Sequence, residues 1–415
     1  MKPRVRTFSW ARRASVLWVL GALICSDSIA SGQVAVHGEK VYTMAGEPID
    51  DGMVIVRNGK IAAVGRASDL RVPEGFRVLR AAVVTPGLVD AHSVVGLAGY
   101  YNQKQDSDQL EHSAPLQPEL RALDAYNSRE KLLEWVRSFG VTTVHTGHAP
   151  GEVISGQTMV VKTKGGSVEA ALLVETQAVA ATLSTDAKKD WGKSPSTRGK
   201  MVAILRQRLI AAGEYAAKRN AEKPAERPGR DLGLEVLAKV LVGEIPLLIT
   251  AQRAQDIASA LRIAREFKIR IVLDGAAESY LLLDQIKAAG VPVIVHPTMA
   301  RARRELENLS FETAAKLKHA GIPVALQSGY ESYVPKTRIV LFEAAVAAAY
   351  GLSFEEALGT ITIDAARILG LDARIGSIVV GKDGDLALYD GDPFEYTTHC
   401  VGTVIEGEVV SEVRR

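Results

Sequence analysis

Cysteine is almost absent from this 415-residue sequence, which holds only Cys25 and Cys400. Cys25 falls in an N-terminal stretch that reads as a removable export signal, so the mature chain keeps one thiol. That excludes an intrachain disulfide and any cysteine-based metal site. Three enzyme signatures are missing as well: a Gly-x-Ser-x-Gly nucleophile elbow, a Gly-x-x-x-x-Gly-Lys-Ser/Thr phosphate loop, and a Gly-x-Gly-x-x-Gly turn after a strand-like run. Their absence removes the sequence basis for an elbow-type serine hydrolase, a P-loop nucleotide enzyme and a dinucleotide-binding fold. Charge of one sign is not in excess either. The formal net charge is +2, and residues 1–30 contribute a net +4 through Lys2, Arg4, Arg6, Arg12 and Arg13 against Asp27, which leaves a mature chain near −2. No basic face follows, and no nucleic-acid partner is expected.

What is present is a globular composition, 47% hydrophobic and 24% charged, with length for one large domain and a small one. The N-terminus carries the basic residues, then the apolar run 14–24, then small residues up to Ala30. This order predicts a signal peptide over 1–30, cleaved after Ala30, and an exported chain that is periplasmic or secreted. The run is shorter than the roughly 20 residues that span a bilayer, so no stable membrane insertion is expected. Arg12-Arg13 permits the twin-arginine route beside the general one. Ala22-Leu23-Ile24 is a poor lipoprotein box ahead of Cys25.

Between residues 34 and 64 short apolar runs alternate with turn residues, and Asn58-Gly59 between two of them predicts a hairpin. The polar stretch 100–127 is too long for an ordinary connection and reads as a loop over a site. Residues 128–139 read as a helix capped by Ser128, followed by a strand that ends at His145. The polar stretches 183–200 and 222–230, with an amphipathic helix over 201–219 between them, read as surface insertions. From residue 232 onward helices (232–241, 254–267, 278–289, 310–320) alternate with the apolar strands 246–250, 269–273, 291–296 and 322–326, and helices over 337–350 and 353–369 follow. Near-continuous apolar strands of this kind require a parallel sheet covered by helices, and without a dinucleotide turn a barrel is favoured. The tail from 374 returns to short strands; neither end has enough of them to bury a face alone, so the two ends are expected to pair.

The stretch Val83-Val84-Thr85-Pro86-Gly87-Leu88-Val89-Asp90-Ala91-His92-Ser93-Val94 is an apolar strand with a histidine-bearing tip. Together with Ala365-Ala366-Arg367-Ile368-Leu369-Gly370 and Gly376-Ser377-Ile378-Val379-Val380-Gly381-Lys382-Asp383-Gly384-Asp385-Leu386, it resembles the amidohydrolase superfamily in its imidazolonepropionase-like branch. The similarity runs from about residue 34 to the C-terminus. It implies an α/β fold: a (β/α)8 TIM-type barrel over 81–373, plus a small β-sandwich domain built from 34–80 and 374–415. It also implies hydrolysis of C–N bonds other than peptide bonds, with one or two divalent, zinc-type metals at the C-terminal mouth of the barrel.

In that family the strand reads Pro-Gly-Leu-Ile-Asp-Ala-His-x-His and both histidines hold a metal. Here the second position is Val94, which has no lone pair. The remaining ligand positions should fall near Thr250-Ala251-Gln252, Asp274-Gly275 and Ser328-Gly329, and none offers the expected residue. His92 is the one matching metal candidate, and no catalytic residue is assigned. His145, His148 and His296 lie at or just beyond strand C-termini, where barrel side chains converge, and Glu152, Lys162, Asp274, Glu278 and Glu331 are placed similarly. His112, Gln157, Gln252, Arg253, Tyr330, Tyr333 and Lys336 would border the same mouth, a lining suited to a small polar or carboxylate-bearing molecule. Two readings stand: a hydrolase with most metal ligands missing, or a non-catalytic relative that binds a small polar ligand or an active paralogous subunit. The expected partner is a small-molecule ligand or substrate, with homo- or hetero-oligomers with an amidohydrolase paralogue left open.

Overall fold

The computed structural model describes residues 32–101, 103–221, 223–298, 302–330 and 339–415; the expected signal peptide over 1–30 and the candidates Glu331, Tyr333 and Lys336 lie outside them. Among the described residues fifteen strands form two sheets. The first contains β1 (Val34–Val41), β2 (Ile49–Arg57), β3 (Lys60–Arg66), β4 (Arg77–Pro86), β13 (Leu386–Tyr389), β14 (Cys400–Ile405) and β15 (Glu408–Ser411), in the order β15-β14-β13-β4-β1-β2-β3. Both chain ends therefore build one sheet, joined where β13 pairs antiparallel with β4. Its apolar face buries Val36, Val54, Val84, Leu386 and Val404 together. Asn58 and Gly59 both have positive φ, as a two-residue type I′ hairpin requires.

The second sheet is the barrel: β5 (Leu88–Ser93), β6 (Val141–Thr146), β7 (Ile154–Lys162), β8 (Leu172–Thr182), β9 (Leu247–Ala251), β10 (Ile271–Gly275), β11 (Val293–Val295) and β12 (Val324–Leu326), hydrogen-bonded in chain order. It closes at β5 and β12 through a parallel bridge between Ser93 and Gly329. Ser328 clips that seam, donating its hydroxyl to Asp90 at 2.5 Å and its backbone N–H at 3.0 Å. Inside, Val89, Ala91, Val160, Leu248, Val272 and Ile294 meet Ala365, Ala366 and Leu369 of the 363–369 segment, which fills the barrel from its N-terminal end.

One strand runs against the rest. β7 is antiparallel to both β6 and β8, because the 147–153 connection is too short for the helical crossover that a parallel neighbour needs. The reversal carries Lys162 to the bottom of the barrel and not to the mouth. There it ion-pairs with Asp385 and, at 3.1 Å, with Asp383, all three side chains being buried. Lys60 and Arg374 complete Asp383's shell.

Three helices differ from the sequence reading. The first begins at Lys131 because the carboxylate of Glu130, not Ser128, accepts the Leu132 N–H; Ser128 donates to the Gly166 carbonyl instead. The 353–369 segment splits into Phe354–Thr360 and Ile363–Ile368 around a non-helical Thr362. The helix after β10 is reduced to Leu283–Ala289, preceded by a 3-10 turn over Ser279–Leu281. Among the described residues no helix is long and apolar enough to cross a membrane.

Candidate functional site

The C-terminal ends of β5, β6, β9, β10 and β12 bring a polar layer into the barrel above its apolar floor. The register between β5 and β6 shifts between Asp90 and Ser93, and His92 as well as Ala91 reaches the interior. His92 Nδ1 lies 2.9 Å from Asp274 Oδ1 across the barrel, and both side chains are buried. Asp274 also accepts the Thr250 hydroxyl at 2.6 Å and the Gln327 amide at 2.9 Å. Its carboxylate is thus held by three donors from three strands or strand ends, the arrangement that a buried charge requires.

Electrostatics follow from that geometry. Burial works against a charged His92, but the Asp274 carboxylate and its hydrogen bond, helped by Asp90, outweigh it and hold the imidazole above its ordinary 6.5. Burial likewise opposes ionised Asp274, and His92, Thr250 and Gln327 together bring its carboxyl below the usual range. Asp90, buried at the seam, is pushed up to about 6 by burial despite its three donors. His145 behaves oppositely: burial first, then the charge of His92, depress it to about 3, so it is neutral. Its Nδ1–H donates to the Ala91 carbonyl at 2.7 Å and its Nε2 lies 2.7 Å from the Thr158 hydroxyl. The two imidazoles are stacked with centroids 5.6 Å apart, and the Tyr330 ring lies 5.8 Å from His92 on a tilted plane.

The signs of these shifts make stability depend on pH. The raised His92 value contributes stability that is fully present below about pH 6.5 and lost as pH rises through its folded value. The raised Asp90 value acts the same way between 3.8 and about 6. The lowered Asp274 value contributes above about 3.8 and is lost only as pH falls through its folded value. Thermal melts should therefore show a midpoint that falls as pH rises above about 6.5, with the fall flattened in Asp274→Asn. A midpoint that rises over that range would contradict the pairing.

Of the residues singled out in the sequence, His92, His145, Gln252, Asp274 and Tyr330 come together. The Gln252 amide donates to the Tyr330 hydroxyl at 3.3 Å and its carbonyl accepts the Ala277 N–H at 3.3 Å. Others are committed elsewhere. Gln157, on the reversed strand, donates to the Pro118 carbonyl and accepts from Thr176. Glu278 caps the helix Ala254–Phe267 through the Ala254 N–H and accepts the Asn308 amide. His296 Nδ1 lies 2.9 Å from the Pro297 carbonyl. His148 packs against Gly156, and burial lowers it to about 4. Exposed His112 reaches the buried Glu152, which also pairs with Lys189, so that pair fastens the loop after β6 to two surface segments. Thr250, Gln327, Ser328 and Asp90 were not among the candidates; each is a polar residue at the end of an apolar strand, the one signal that marked them.

The described residues of this layer do not fit a zinc-type metal, which takes three or four protein ligands. His145 has both nitrogens engaged, the Asp274 oxygens serve three donors, and Asp90 serves the seam. Among the described residues no group of three His, Cys, Asp or Glu side chains is placed to hold a metal ion. Val94, at the position of the family's second histidine, is fully buried in an apolar cluster with Ala98 and Ala149, against which Leu110 and Tyr330 pack. Among the described residues His92 Nε2 is buried with no hydrogen-bond partner, as is Gln327 Oε1 in the same layer.

Comparison with known proteins agrees with this architecture. A model of the amidohydrolase family matches residues 315–411. The crystal structure of an amidohydrolase from Thermotoga maritima is 30% identical, with a TM-score of 0.86 over 92% of this chain and 100% of that one. The chain belongs to the amidohydrolase family. Among curated amidohydrolase relatives, the imidazolonepropionase of Sphingopyxis alaskensis is 23% identical over 406 residues, covering 86% of this chain and 91% of that protein. A zinc-bound adenosine deaminase from Xanthomonas campestris shares the fold, at 17% identity and a TM-score of 0.53, over 91% of this chain and 92% of its own.

Proposed function

We propose that this amidohydrolase relative binds a small carboxylate-bearing molecule at the barrel mouth without a metal-held hydroxide. The observation that carries the reading is the unpartnered His92 Nε2. With Nδ1 committed to Asp274 and the imidazole held above its ordinary value, its protonated form has a second N–H to donate, and a buried donor left unsatisfied costs about 1–3 kcal/mol. An anionic acceptor removes that cost and meets a full positive charge. Gln252 and Tyr330, already bonded to each other, lie beside it as neutral polar groups. The curated relatives are named for an imidazolone that carries a propionate, which agrees with a small carboxylate as ligand. Among the described residues the layer offers no ligand set for hydrolysis of C–N bonds by metal-bound hydroxide, and no other side chain of it generates a nucleophile. The reading includes an exported chain, on the strength of its N-terminal segment.

The test is a titration of the full chain with 3-(imidazol-4-yl)propionate, followed by the 15N resonances of His92. A saturable shift of Nε2, with Nδ1 little changed and no turnover of the corresponding imidazolone, is the expected result. Metal-dependent turnover of the imidazolone would return the protein to the hydrolases.

A further inference from the structure

A second site lies at the opposite end of the barrel, where no residue of the mouth reaches. The helices Ala254–Phe267 and Leu283–Ala289 flank the N-terminal ends of β10 and β11, and the second is only two turns long. The short helix lines the space between them with Gln285, Ala288 and Ala289, and the longer one with Ala258, Leu261 and Ala264 beside its arginines. Alanine at four of these positions leaves the two helices short of filling the space between them. The gap is a cleft of about 930 Å³, floored by Ile271, Leu282 and Val291. That volume falls within the roughly 300–1,000 Å³ of small-molecule sites.

The rim has one sign. Arg262, Arg265, Lys268 and Arg270 line the cleft, and no Asp or Glu does. Arg270 is spent on the Gly243 and Glu244 carbonyls, and Arg262 donates to the Ser259 hydroxyl. Among the described residues Arg265 and Lys268 have neither a hydrogen bond nor an ion pair through their side chains. Lys268 stands at the helix end in the left-handed conformation (φ 55°), which turns the chain across the rim. An apolar floor beneath unpaired cations is complementary to one class of molecule, an apolar body ending in a single anionic group.

We infer that this cleft binds an amphipathic monoanion, an alkyl or aryl carboxylate, through Arg265 and Lys268 at its rim. The site is independent of the His92 layer. The probe is decanoate below its micellar concentration, added to the full chain and followed by calorimetry, with decanol and inorganic phosphate as comparisons. Saturable decanoate binding is expected, weakened about tenfold in the double variant Arg265→Gln, Lys268→Gln and about tenfold weaker for decanol. Ala288→Phe, which fills the cleft from an exposed position, should abolish it, while the response of His92 to 3-(imidazol-4-yl)propionate stays unchanged in all variants. Equal binding of decanol, decanoate affinity unaltered in the double variant, or phosphate binding as well as decanoate would overturn the assignment. So would sedimentation showing a dimer that Ala288→Phe dissociates, since a second copy would then be the occupant.

Discussion

Replacing Lys162 with methionine is expected to lower the unfolding free energy by about 3–5 kcal/mol, the usual cost of stripping one partner from a buried ion pair. Lys162 is 1% exposed and lies between Asp383 and Asp385, whose side chains are 1% and 4% exposed. Asp383 keeps Lys60 and Arg374 when the lysine is lost. Among the described residues Asp385 keeps only the Glu406 N–H, and burial already raises its carboxyl above the ordinary value. The loss should therefore fall on Asp385, and Lys162→Met combined with Asp385→Asn should recover part of it, because the variant carboxamide leaves no charge to be neutralised. Denaturant unfolding of the three chains measures this directly. A single variant as stable as the wild type would show that the triad does not join the two sheets in the way its geometry states.

Asp274→Ala should cost a similar amount, about 3–5 kcal/mol, for a different reason. The carboxylate is the shared acceptor of His92, Thr250 and Gln327, so its removal orphans three buried donors at once. It also removes the charge that keeps His92 above 6.5. Burial is then the dominant influence on the imidazole, and in Asp274→Asn, which keeps the shape, His92 should titrate below its ordinary value. Histidine resonances followed through a pH titration check the second point, and thermal unfolding checks the first. An unchanged His92 titration in Asp274→Asn would place its control elsewhere.

The barrel and the sheet made from both chain ends were legible in the sequence because each rests on a local, repeated signal. Apolar runs such as 246–250 and 269–273 alternate with amphipathic segments, and Asn58-Gly59 states its own turn type. The reversed β7 was not legible. Its residues read as a strand in either direction, and what turns it round is the shortness of the 147–153 connection. Placing Lys162 at the mouth assumed a parallel strand, and the reversal puts it at the other end. Within the site, His92 and His145 were visible as strand-end histidines. The role of Asp274 was not, because its meaning depends on His92, 182 positions earlier, lying 2.9 Å away. The same holds for Ser328 and Asp90 across the seam: pairings between strands distant in sequence carry no pattern in either strand alone. Glu278 and Gln157 add to this: their partners are the Ala254 N–H and Asn308 amide, and the Pro118 carbonyl and Thr176 hydroxyl, groups again distant in sequence.

We propose that a buried His92–Asp274 pair, and not a metal centre, organises the mouth of this amidohydrolase barrel. Elemental analysis of the full chain purified without chelator tests it most directly. The account predicts well under one equivalent of zinc, manganese or iron per chain, with an unfolding midpoint that is unmoved by added zinc. One tightly held equivalent per chain, lost in His92→Ala, would contradict it.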